Sequence, residues 1–424
     1  MKILVVHQYY LAPGEPGGSR FNEFARLWTE AGHQVTVIAG SVSYATGKRA
    51  DSVAGGFIVR REEDGIDVWR CHVPQTYNRS YSGRMWAFFG FTVSACVAAL
   101  RTARPDVVVA TSPPLTAAIP GFVAARCRWR PVPWVFEMRD LWPESAITTG
   151  VIGRRSMLAR VLFALERWAC RRASKVNVLT PAFADDVKAR GLVTDAKLCF
   201  VPNGADVDSF TNCSAAPAVR RELGWGTRFV ALYAGAHGRA NALHQLVDAA
   251  DSLRERSDIL IVSAGDGPER AALEADARAR GLDNIRFVGS IAKERMPAVI
   301  AAADAGLAVL QNNPTFRTVY PNKVFDYMAC AKPTVLAIDG VARDLACDQA
   351  HAAIFAEPEN GTAIAAAICQ LADVPAAART LGVNGHAWVI ANAARPVLAM
   401  RYLDILASLV RPSSAIPAPA SSEV

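Results

Sequence analysis

The stretch Phe229-Val230-Ala231-Leu232-Tyr233-Ala234-Gly235-Ala236-His237-Gly238-Arg239-Ala240-Asn241 decides the fold. Phe229–Tyr233 reads as a short apolar strand, a glycine-containing turn ends it, and a helix follows from about Ala242. It stands in mid-chain and repeats what the chain does at its start. There Met1-Lys2-Ile3-Leu4-Val5-Val6 reads as a first strand, too short an apolar run for a signal peptide. The loop Pro13-Gly14-Glu15-Pro16-Gly17-Gly18-Ser19-Arg20 follows it. A helix from about Ser19 to Ala31 then carries Phe21, Phe24, Ala25, Leu27 and Trp28 at helical spacing.

Each start opens a series. After the first come the strands Val35–Ala39, Val107–Thr111, Trp134–Glu137, Lys175–Leu179 and Leu198–Val201. After the second come Ile259–Ala264, Ile285–Val288, Ala305–Val309 and Thr334–Ala337. Short apolar strands alternating with helices imply parallel sheets covered on both faces. The expected fold class is therefore α/β, two Rossmann-like domains facing each other across a cleft. Residues 1–205 form the first and 226–390 the second, with 202–225 as linker. The helix 395–410 is expected to pack back on the first domain, and the Pro-, Ala- and Ser-rich 411–424 to be a disordered tail. A chain of 424 residues suits two such cores.

The net charge of +7 fits nucleic acid, an anionic membrane surface or phosphorylated substrates, and does not choose among them. The nine cysteines include no C-x-x-C pair. Apolar settings for Cys96, Cys170 and Cys369 suggest buried, reduced thiols and a cytoplasmic location. No segment is expected to span a bilayer. The most apolar run, Met85 to Leu100, reads either as a buried helix or as one lying at a membrane surface.

Four stretches carry chemistry. In the first loop, Gly17 and Gly18 allow close backbone approach, and a helix start beside them offers N–H groups to a phosphate. In the second, Gly235, Gly238 and Arg239 stand at the matching place, and His237 reads as either a turn histidine or a phosphate or sugar contact. Gly265-Asp266-Gly267-Pro268 lacks the third glycine of a dinucleotide fingerprint and reads as a turn near the cleft. A nicotinamide oxidoreductase is disfavoured on that ground. The fourth is Tyr320-Pro321-Asn322-Lys323-Val324-Phe325-Asp326-Tyr327-Met328-Ala329-Cys330-Ala331-Lys332-Pro333. Lys323 in a first helical turn opposes the helix dipole, which is easier to understand if an anion binds beside it. Asp326, one turn on, is placed to accept bonds from two ribose hydroxyls. Arg139, Asp140 and Glu144 follow a first-domain strand and face the cleft. Asp206-Val207-Asp208 has a metal-site pattern but follows Pro-Asn-Gly and reads as a turn.

These stretches together, with Val201-Pro202-Asn203-Gly204-Ala205-Asp206, resemble glycosyltransferase family four, retaining enzymes of the GT-B fold. That resemblance implies a nucleotide-sugar donor, no metal and no other cofactor. Donor contacts are implied for Gly17, Gly18, Gly235, His237, Gly238, Arg239, Asn322, Lys323 and Asp326, and acceptor or charge-stabilising roles for Arg139, Asp140 and Glu144. The acidic residue usual eight positions before Asp326 is replaced by Thr318. His7-Gln8-Tyr9-Tyr10, Thr111-Ser112-Pro113-Pro114 and Glu137 through Glu144 are similar to a subgroup building bacterial O-antigen and capsule units, including N-acetyl-L-fucosaminyl-type transferases. The subgroup implies UDP, a lipid-pyrophosphate-linked sugar acceptor, no nucleic acid, and a position at the inner face of the cytoplasmic membrane. Phe88–Leu100 would lie there. So would a basic helix within 154–175, with Met157, Leu158, Val161, Leu162, Leu165, Trp168 and Ala169 on one stripe and six arginines mostly off it. A nucleotide-sugar 2-epimerase of the same fold, or a non-catalytic partner protein that keeps it, are the alternatives.

Overall fold

A computed structural model describes residues 1–13, 15, 20–43, 47, 49, 56–76, 81–127, 129–148, 150–211 and 215–410. Gly17, Gly18 and the tail 411–424 lie outside them.

The first domain holds β1 (Lys2–His7), β2 (Gln34–Gly40), β3 (Ile58–Glu63), β4 (Ile66–Cys71), β5 (Val107–Ser112), β6 (Trp134–Met138), β7 (Lys175–Val178) and β8 (Leu198–Phe200). They form one sheet in the order β3-β4-β2-β1-β5-β6-β7-β8, parallel except for the β3–β4 hairpin. Its helices are α1 (Arg20–Glu30), α2 (Tyr81–Arg101), α3 (Ala118–Arg126), α4 (Glu144–Thr148), α5 (Met157–Arg172) and α6 (Pro181–Ala189). The second domain holds β9 (Phe229–Ala234), β10 (Ile259–Ala264), β11 (Ile285–Gly289), β12 (Ala305–Val309), β13 (Thr334–Ala337) and β14 (Ala353–Phe355). They form a parallel sheet in the order β11-β10-β9-β12-β13-β14. Two parallel α/β sheets are what the repeated strand–turn–helix pattern implied.

The central strands are apolar on both faces because both are covered. In β1, Ile3 and Val5 join one core and Leu4 and Val6 the other. In β10, Ile259 and Ile261 divide from Leu260 and Val262 in the same way. The stretch read as linker carries α7 (Val207–Thr211) and α8 (Ala216–Glu222), and Val207, Val219 and Trp225 are buried against the second domain. Asp206 accepts from the Ser209 amide and hydroxyl, so the Asp-x-Asp pattern is a helix cap here. The second domain continues with α9 (His244–Ser252), α10 (Arg270–Ala279), α11 (Met296–Ala302), α12 (Asn322–Ala329), α13 (Val341–Arg343), α14 (Gly361–Asp373) and α15 (Pro375–Asn392).

The chain passes between the domains twice, and the passages touch. Ala205 N donates to Ala393 O and Arg395 N to Ala205 O, both at 2.9 Å. Gly204, at φ +63°, fits there because a Cβ would stand 2.2 Å from Ala393 O. The last helix, α16 (Arg395–Val410), lies on α1: Tyr402 meets Phe21, Phe24 and Trp28, and Trp28 Nε1 donates to Ala399 O at 2.8 Å.

α2 bears on two of the readings given above. By length and composition Ser82–Arg101 is able to cross a membrane, with mean hydropathy 1.4. Phe88 and Phe91, however, are core residues rather than surface ones. Its outward stripe is Trp86, Phe89, Val93 and Leu100, with Trp86 and Phe89 stacked. On α5, Leu162 and Ala169 are buried, whereas Met157 and Val161 face outward with Arg160, Arg167 and Arg171. Cys170 is buried, but Cys96 and Cys369 are only half-buried.

Candidate functional site

The carboxyl end of β9 and the start of α12 bring together several of the second-domain candidates. Gly235 N donates to Ala264 O, His237 N to Asp266 O, and Glu269 N to His237 O. These bonds zip the loop after β9 to the loop after β10. The zipper explains Gly265 and Gly267: a Cβ on Gly265 would sit 1.8 Å from Gly235 O, and one on Gly267 2.5 Å from His237 O. The glycines serve loop-on-loop contact, the turn reading given for this stretch.

Of the two readings of His237, the structure shows the geometry of a turn histidine. Its ring is fully buried, its Nε2 lies 2.9 Å from Ser263 Oγ, and burial lowers its pKa. It is a neutral strut inside the zipper. Gly238 precedes the short turn Arg239–Asn241, and the Arg239 side chain is exposed, with no ion pair among the described residues.

Lys323 and Gly235 come together. The Lys323 ammonium stands 3.6 Å from the Tyr233 ring centroid, and a Cβ on Gly235 would lie 3.0 Å from Nζ. Among the described residues no carboxylate lies within ion-pair distance of it, and burial pushes its pKa down to about 7. The residue fixing this arrangement was not legible in the sequence. Tyr327 Oη donates to Leu307 O at 3.1 Å and accepts from Ala234 N at 3.0 Å, tying α12 to β9 and β12. Its ring presses on Gly306, where a Cβ would be 2.2 Å away.

Asp326, on the same helix, is half-buried. Burial pushes its carboxyl up to about 6, opposed by the nearby Arg395. Asn322 is engaged across the domains: its Oδ1 accepts from Asn203 Nδ2 at 2.8 Å.

The first-domain candidates do not converge as one set. Arg139 Nη1 lies 3.1 Å from His7 Nε2. A guanidinium only donates, so His7 accepts there and is neutral. Its pKa is held well below the usual histidine value by burial, then by Arg139, Arg70 and Arg20. Asp140 accepts from Ser145 Oγ at 2.9 Å, and burial raises its pKa. Glu144 opens α4 and is ion-paired with Arg154, so its carboxylate is already committed to a cation.

Beneath them lies a buried network centred on Glu137. Arg20 Nη1 is 3.2 Å from its carboxylate, Asn177 Nδ2 donates to it at 3.0 Å, and Thr111 Oγ1 at 3.3 Å. Arg20 also donates to Val201 O at 2.8 Å. Arg20 begins α1, so this network anchors the helix that follows the glycine-rich loop. A charged residue inside the apolar strand Trp134-Val135-Phe136-Glu137-Met138 was the available signal.

Residues 17–204 match the family model of a glycosyl transferase 4-like domain, and residues 228–373 that of glycosyl transferases group 1. Over 385 residues the chain is 26% identical to the putative colanic acid biosynthesis glycosyl transferase WcaI of Escherichia coli K12, covering 88% of this chain and 93% of that one. The structure of Anabaena Alr3699/HepE in complex with UDP and glucose superposes with a TM-score of 0.72 at 19% identity, over 96% of this chain and all of that one. Sucrose-phosphate synthase from Thermosynechococcus elongatus gives 0.72 at 17% identity, over 96% and 98%. The two matched models fall on the two sheets in turn, and the chain belongs to the family 4 glycosyltransferases of the GT-B fold.

Proposed function

We propose that this glycosyltransferase moves an N-acetylated (deoxy)hexosamine from a UDP-sugar to a lipid-linked saccharide, with retention, in bacterial surface polysaccharide synthesis at the inner face of the cytoplasmic membrane. One observation carries the donor half. Lys323 is a half-buried cation at a helix N-terminus, with no ion pair among the described residues, where both burial and the dipole oppose its charge. A diphosphate beside Gly235 and the first turn of α12 removes both penalties. In the reaction the bond from the anomeric carbon to the diphosphate oxygen breaks, and an acceptor hydroxyl oxygen bonds that carbon on the same face. The hydroxyl proton passes to the departing phosphate. Lys323, Arg239 and the N–H groups of α12 stabilise the charge that develops on the leaving group. Asp326 accepts from the ribose. Arg139, held by His7, steadies the acceptor side.

Two relatives support the substrate classes: Alr3699/HepE is described in complex with UDP, and WcaI is named for colanic acid biosynthesis. The membrane half rests on the first domain's outer face. There α3 touches both α2, with its apolar stripe, and α5, with its exposed arginines.

Thermal stabilisation by UDP, GDP, ADP and NAD tests the donor class. A ligand at 100 times its Kd adds about 2.7 kcal/mol to the folded state. Stabilisation by UDP alone is expected, and stabilisation by NAD alone would overturn the reading.

A further inference from the structure

We infer that Thr180, from the first domain, and Asn203, from the passage that leaves it after β8, are positioning residues for the donor site of the second domain. The inference rests on the donor reading above. The chain from the end of β12 into the first residue of α12 makes contacts across the domain boundary at three points. Thr318 O accepts a hydrogen bond from Thr180 Oγ1 at 2.7 Å. The next residue, Val319, packs against the first-domain core that contains Leu179 and Phe183. Asn322 Oδ1 accepts from Asn203 Nδ2. The residue after that is Lys323.

The Thr180 hydroxyl has little freedom in this arrangement. It is fully enclosed, and its oxygen caps α6 by accepting from Phe183 N at 3.1 Å. Its single proton is therefore left for Thr318 O, and its direction is set by a helix of the first domain. On the other side the segment has no slack. The Thr318 hydroxyl is spent on Thr315 O at 2.7 Å, and Arg317 O lies so close to Gly340 that a Cβ there would stand 2.2 Å away. A segment gripped by the first domain at 318 and 319 and by the inter-domain passage at 322 delivers α12, with Lys323 over the Tyr233 ring and Asp326 one turn further. The start of the donor helix is thus referenced to the acceptor domain as well as to its own sheet. Donor affinity is expected to depend on two side chains that touch no donor atom.

The test is titration calorimetry of the full chain with UDP, with steady-state KM values for donor and acceptor. Thr180→Asp keeps an oxygen that caps α6 but has no proton for Thr318 O. Thr180→Ser keeps both functions. Asn203→Ala removes the second grip independently of α6. Losing one hydrogen bond of ordinary worth corresponds to about fivefold. Thr180→Asp and Asn203→Ala should each weaken UDP by about fivefold. Donor KM should rise while acceptor KM stays, and Thr180→Ser should restore the wild-type values. Wild-type UDP affinity in both loss variants overturns the inference and leaves the donor reading intact. Should Thr180→Asp fail to fold, Asn203→Ala against wild type decides alone. A wild-type chain that binds no UDP overturns the donor reading itself.

Discussion

The protonation of Lys323 gives the sharpest quantitative expectation. Burial holds its pKa near 7, far below an ordinary lysine, and diphosphate binding needs the ammonium form. In the free protein the group is half protonated at pH 7 and about one part in a hundred at pH 9. UDP must then draw in a proton to bind. Its apparent Kd should rise toward tenfold per pH unit above 7, to about 50-fold at pH 9. Partial exposure of the side chain makes this an upper bound. The terminal phosphate of UDP, with its last ionisation near 6, adds nothing in this range. The sign for stability runs oppositely. Above pH 7 the unfolded chain holds a proton that the free folded chain has released, so the free protein gains stability from pH 7 toward 10, where the unfolded lysine also titrates. Titration calorimetry at pH 7, 8 and 9, in buffers of different ionisation heat, reads both affinity and proton uptake. Lys323→Arg keeps a permanent charge and should flatten the profile. A wild-type Kd that is level from pH 7 to 9, with no proton taken up, would refute the assignment of Lys323 to the diphosphate.

Asp326→Ala should raise the donor KM far more than the acceptor KM in initial-rate assays; equal effects would remove the ribose assignment. On α2, Trp86→Ser with Phe89→Ser should release the protein from anionic vesicles while leaving Tm and UDP binding unchanged. Phe91→Ala, pointing inward, should instead cost about 3–5 kcal/mol in denaturant unfolding. Glu137→Ala strands Arg20 in a buried site and should cost about 3–5 kcal/mol, read by urea midpoint.

Period and punctuation were legible where they were strong. Ile3–Val6 and Phe229–Tyr233 announced central strands because both their faces are apolar, and the turn at Gly235 marked where the second strand ends. The β3–β4 hairpin was missed although Asp64-Gly65, both at positive φ, is a standard two-residue hairpin turn. The edge strand it opens, Arg60-Arg61-Glu62-Glu63, is polar, and an edge strand faces water. The site was legible in part. Lys323 stands out because a cation in the first turn of a helix opposes the dipole, and Asp326 because it follows one turn on. The Met85–Leu100 run stays open between core and surface in the sequence, because hydropathy does not tell the inner face of a helix, here Phe88 and Phe91, from its outer one. Tyr327 and Thr180 give no local signal, and Asn203, although part of the Pro-Asn-Gly stretch, gives none for the contact it makes. Their partners lie on other strands or in the other domain, and only folding brings them near.

The return of α16 to α1 has a consequence for how the protein is made. The first domain is covalently discontinuous, with the second inserted before its final helix. Leu398, Tyr402, Leu403 and Leu406 complete the core around Phe21, Phe24 and Trp28, and they are synthesised after the whole second domain. During translation the amino-terminal sheet must wait with that aromatic face uncovered while the later domain, whose parts are contiguous, closes first. The order of synthesis and the order of completion are inverted, and a chain stopped at residue 394 would carry every candidate active-site group described above and still lack the piece that seals its first core.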